Sequence, residues 1–82
     1  MSRNPRTPLS TTEEEALEII TDPIDGRGEK GYPRNEVHQL LADHEAFSQE
    51  LAEQAIHQLL MKGYLYEVDS HLFVTPGALN NQ

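Results

Sequence analysis

Cysteine is absent from this chain. Disulfides, thiolate zinc centres and cysteine nucleophiles are thereby excluded. Lysine is nearly absent too, with only Lys30 and Lys62. Set against 14 acids, the 6 bases leave a formal net charge of −8. That sign is wrong for a general nucleic-acid binder, because neutralising phosphates takes Lys and Arg. Long apolar runs are missing as well. No stretch reaches the length of a signal-peptide core or a membrane helix, so a cytoplasmic protein with no membrane partner is expected. High acid, low lysine and no cysteine fit a salt-adapted cytosol. At molar salt the Debye length falls to about 3 Å, self-repulsion is screened and a carboxylate-rich surface stays hydrated. The alternative is an ordinary acidic protein from a mesophile.

What is present suffices for one small domain. Residues 1–8 read as a flexible arm, with two prolines, Arg3 and Arg6, and residues 78–82 as a flexible tail. Between them, 9–77 holds a core near the smallest size that folds alone. "LSTTEEEALEIITDP" reads as a first helix. Three overlapping capping boxes are possible (Ser10 with Glu13, Thr11 with Glu14, Thr12 with Glu15), and Pro23 predicts a stop near Thr21. "IDGRGEKGY" reads as a loop, with a very short strand at Tyr32. "PRNEVHQLLADH" reads as a second helix with Pro33 at its first position. Ser48 caps a third helix, "QELAEQAIHQLLMK", closed by Gly63. "YLYEV-DS-HLFVT" reads as a β-hairpin turning at Asp69 and Ser70. The expected core is Leu17, Ile20, Val37, Leu41, Leu51, Ala55, Leu59, Leu65 and Val74.

This order of elements predicts a mainly helical α+β domain, a winged helix-turn-helix of three helices and a wing. From Tyr32 to Thr75 the chain resembles the winged-helix pattern of archaeal DNA-associated proteins. "KGYLYEVDSHLFVT" is similar to the wing of the C-terminal domain of archaeal minichromosome maintenance helicases, in its glycine, its aliphatic residue, its "YE" and its short turn. The resemblance covers a little over half of the chain and includes no ATPase module. With the acidic composition, it implies a small DNA-associated protein of halophilic archaea, a transcriptional regulator or accessory factor.

"GRGEKG", Gly26 to Gly31, matches G-x-G-x-x-G. A dinucleotide fingerprint needs a strand before it and a helix opening within it. Here a helix precedes it and Tyr32 and Pro33 follow, so no dinucleotide site is expected. The four histidines, His38, His44, His57 and His71, offer no i, i+4 pair, and no metal or other cofactor is expected. Ser10, Ser48 and Ser70 read as caps or turn residues, and Glu13 to Glu15 as a helix N-terminus. No enzymatic activity and no small-molecule substrate are expected.

Two binding roles remain. In a helix-turn-helix the second helix of the pair enters the major groove of double-stranded DNA. Its exposed face would carry Gln49, Glu50, Gln54 and His57, with His71 at the wing tip. Gln reads adenine and Glu accepts from cytosine. Arg27, Lys30 and Arg34, three of the bases within eight residues, would touch the DNA backbone. Yet the third helix carries no Arg, and the wing tip is acidic and neutral. The alternative is a protein-interaction module, in which Met61, Tyr64, Tyr66 and Phe73 form an apolar patch for a partner or a second copy.

Overall fold

The computed structural model describes residues 8–76. The arm expected over 1–8, apart from Pro8, and the tail expected over 78–82 lie outside the described residues, as do Arg3 and Arg6.

Helix α1 spans Thr11–Gly26. Of the three possible capping boxes, the first is used. The Ser10 hydroxyl accepts from the Glu13 N–H at 3.2 Å, and the Glu13 carboxylate accepts from the Ser10 N–H at 3.1 Å. The helix does not stop near Thr21 but continues through Pro23. Proline there removes a backbone hydrogen bond and costs about 3 kcal/mol in a helix interior. Ile24 supplies the compensation. It lies one turn beyond Ile20 and is buried with Leu17 and Ile20, a burial that contributes about 1.5–3 kcal/mol. Thr21 is buried as well, and its hydroxyl is satisfied by donating to the Leu17 carbonyl.

A single 3₁₀ turn, Gly28–Lys30, follows, then strand β1, Tyr32–Pro33. Pro33 is not the first helical residue. It is extended (φ −55°, ψ 136°) and pairs with His71 across the sheet, and helix α2 runs from Arg34 to Ala42. Helix α3, Gln49–Met61, starts at Ser48, whose hydroxyl accepts from the Leu51 N–H at 3.1 Å. Gly63, at φ +86°, takes the left-handed step after it. Strands β2, Leu65–Val68, and β3, His71–Val74, form the hairpin. Its two turn residues are both left-handed, Asp69 at φ 52° and Ser70 at φ 67°, the backbone of a type I′ turn without glycine.

The sheet is antiparallel with order β1-β3-β2, and Leu72 in its middle strand faces the helices. One cluster joins Leu17, Ile20 and Ile24 of α1, Val37 and Leu41 of α2, Phe47 of the α2–α3 turn, Ala52, Ala55, Ile56 and Leu59 of α3, and Leu65 and Leu72 of the hairpin. Two expected core residues are corrected. Leu51 is 41% exposed, because it sits in the first turn of α3, to one side of the Ala52/Ala55/Ile56/Leu59 face. Val74, near the end of β3, is half-buried and packs on the cluster rather than inside it. Three helices, a helix-turn-helix pair and a hairpin joined to a short first strand make a winged-helix arrangement.

Candidate functional site

Arg34 sits where α2, α3 and the hairpin meet. Its backbone N–H donates to the Ser70 carbonyl at 2.9 Å, fastening the start of α2 to the hairpin turn. Its guanidinium is engaged twice, with Glu67 of β2 at 3.0 Å and with Glu53 of α3 at 3.4 Å. The cause lies in strand alternation. Glu67 opposes Leu72, so it shares the helix-facing side of the hairpin and takes the nearest cation. His38 lies beside this group, its Nε2 donating to the Gln49 carbonyl at 3.0 Å. With Asn35 and Ser70 these residues line a cleft of about 430 Å³.

The other expected backbone contacts lie elsewhere. Arg27 stacks over the Tyr32 ring at 4.3 Å and pairs with Glu36 at 3.6 Å. Lys30, at the end of the 3₁₀ turn, is exposed. Lys62 is turned inward to α1, where its ammonium meets the Glu13 carboxylate at 2.6 Å and the Pro8 carbonyl at 3.2 Å. The Lys62 hydrogen bond and charge, and the Ser10 cap, hold the Glu13 carboxyl below its ordinary pKa against the opposing effect of burial.

Gln49, Glu50, Gln54 and His57 are all exposed on α3, as the expected reading face requires. Its electrostatics oppose that use. Glu50 and Glu53 on α3, and Glu67 and Asp69 on the hairpin, are the charged residues of these elements, with no Lys or Arg among them. His71 is half-buried in the wing, and its Nδ1 donates to the Asp69 carbonyl at 2.9 Å.

Of the expected apolar contact residues, the structure brings Tyr66 and Phe73 together. They oppose each other across the hairpin, on its outer side, and stack with ring centroids 5.1 Å apart and planes 12° from parallel. Tyr66 is 45% exposed, and Val68, on the same side of β2, is 51% exposed. Tyr64 packs against the core cluster instead. Met61, 71% exposed, stands on α3. The Tyr66–Phe73 pair lines a groove of about 480 Å³ together with Ile24, Asp25, Gly28, Glu29 and Val74. Asp25 was not foreseen here, because a helix stopping near Thr21 would not carry it to the hairpin.

Among the described residues, no three His, Asp or Glu side chains gather as metal ligands would, and no helix is long and apolar enough to cross a membrane. Compared with protein-family models, curated proteins and solved structures, the chain matches none.

Proposed function

We propose that this winged-helix domain recognises a protein partner. The observation that carries the reading is the state of Arg34. It is the base nearest the surface that a winged helix turns to DNA, and two carboxylates neutralise it while Glu50 and Asp69 add further negative charge. Counterion release needs cations aimed at phosphates, and this face offers carboxylates. The exposed Tyr66, stacked on the half-buried Phe73, supplies an amphipathic ring of the kind that anchors protein interfaces.

A second reading, DNA association as a regulator or accessory factor, is favoured by one feature. Arg27 and Lys30 remain exposed on the α1–β1 connection, where they can meet a phosphate backbone.

Site-specific photocrosslinking separates the readings. Benzoylphenylalanine in place of Tyr66 should yield protein adducts in cells, and in place of Gln54 it should yield no nucleic-acid adduct. A titration with duplex DNA at about 50 mM and about 200 mM salt accompanies it. DNA adducts from the Gln54 position, together with duplex binding that weakens with salt and with Arg34→Ala, would establish the DNA reading instead.

A further inference from the structure

The groove beside the hairpin carries more chemistry than a generic apolar patch. It is lined by the stacked Tyr66 and Phe73 rings, by Ile24 and Val74, and by Asp25 and Glu29. Neither carboxylate has a hydrogen-bond or ion-pair partner among the described residues. Elsewhere the acids near a base are used: Glu13 by Lys62, Glu36 by Arg27, Glu53 and Glu67 by Arg34. Lys30 is the base closest in sequence to Glu29, and it is not part of the lining. Arg27 is turned to Tyr32 and Glu36.

We infer that this groove receives a Lys or Arg side chain from a basic segment of a partner protein, an inference that rests on the protein-recognition reading. A long cationic side chain has two parts, and the groove matches both. Its methylene stem lies along apolar surface while its head stays polar. Here the stem covers the exposed Tyr66 ring and the edge of the Phe73 ring, whose two faces are already taken by Tyr66 and Gly31. The head reaches Asp25 and Glu29, which accept charge-assisted hydrogen bonds. The volume of about 480 Å³ holds such a side chain with neighbouring backbone. The net charge of −8 opposes a second acidic copy as the occupant and favours a basic one.

The probe is a capped synthetic peptide with one Lys flanked by leucines, and its acetyl-lysine counterpart. Both are titrated into the ¹⁵N-labelled full chain at physiological salt, with duplex DNA titrated separately. Amide shifts are expected at Gly28, Tyr66, Phe73 and Val74. Affinity should fall by about tenfold or more on acetylation, with Tyr66→Ser, and with the double variant Asp25→Asn/Glu29→Gln. The double variant Glu14→Gln/Glu15→Gln removes the same charge at the other end of α1 and should leave binding unchanged. Equal losses in the two double variants, indifference to acetylation, or no shift at all would overturn the groove assignment. Peptide shifts centred on another surface would overturn it too, while leaving protein recognition standing. Salt-sensitive duplex shifts along α3, with none from the peptide, would overturn both.

Discussion

At the scale of single residues, glycine and leucine show how different positions are constrained. Gly31 sits at φ +70° with the Phe73 ring packed against it, and a Cβ there would lie 2.6 Å from the ring's Cζ. Gly31→Ala therefore meets both a strained backbone and a displaced ring. It should cost about 1–3 kcal/mol of stability and disturb the lining of the groove. Gly26, two residues before Gly28 in the same glycine pattern, has open space around it and ends a helix. Gly26→Ala should be neutral or stabilising by about 0.5–1 kcal/mol. Equilibrium urea unfolding of the pair tests the contrast, and equal midpoints would show that Gly31 is not held as described. The path of the chain between α1 and β1 thus calls for glycine at Gly28 and Gly31, both at positive φ, and not at Gly26. Leu59 has no such exit. It is fully buried among three helices and the hairpin, and Leu59→Ala should cost about 2–5 kcal/mol, seen as a large drop in melting temperature.

At the scale of elements, two ion pairs tie distant pieces of chain: Arg34 joins α2, α3 and β2, and Lys62 joins the end of α3 to the start of α1. The second is the more shielded, and it has a pH signature. The folded pKa of Glu13 lies below its ordinary value of 4.5. Its contribution is therefore fully present above that value and is lost as pH falls through the lowered folded value. Glu13→Gln keeps the capping box, since glutamine serves at that position, and removes only the charge. The variant should be less stable than the parent at neutral pH, and the gap should close below pH 4.5. A gap that persists undiminished in acid would mean that Lys62 does not act through the Glu13 charge. Much of this layer was legible from sequence. Ser48 announced the start of α3, Gly63 its end and Asp69-Ser70 the hairpin turn, while the start of α1 was narrowed to Ser10, Thr11 or Thr12, because caps and turns are written in a few adjacent residues. The end of α1 was not legible, since Pro23 argues locally for a stop and only the burial of Ile24, a tertiary fact, argues against it. The same error hid Asp25 from the groove. The neutralised state of Arg34 was half legible: alternation along "LYEV" puts Glu67 on the inner side, while its proximity to residue 34 requires the folded chain.

At the scale of the whole molecule, the balance of charge decides how salt acts. Individual pairs lose strength as salt is added, because Arg34, Glu53 and Glu67 are all partly exposed and screening weakens them. The excess of acids works in the opposite direction. Fourteen carboxylates against 6 bases repel one another in the folded chain more than in the expanded one, and screening relieves that repulsion. Exposed pairs contribute about 0–1 kcal/mol each. The pairs leave the other ten acids without a cationic partner among the described residues: Glu14, Glu15, Glu18, Asp22, Asp25, Glu29, Asp43, Glu45, Glu50 and Asp69. Repulsion therefore outweighs the pairs, and stability should rise as chloride salt is raised from about 0.01 M to about 1 M, over which the Debye length shrinks from about 30 Å to about 3 Å. Melting curves across that range, with KCl and NaCl in parallel, give the test. The rise should be steepest at the low end, where screening changes most in absolute length. The triple variant Glu18→Gln/Asp22→Asn/Glu45→Gln, which lowers the acid excess without touching a pair or the first turn of a helix, should start from a higher melting temperature in low salt and gain less from added salt. A melting temperature that falls with salt, or a triple variant with the parent's salt dependence, would assign the stability to the ion pairs and make the acidic surface incidental to folding.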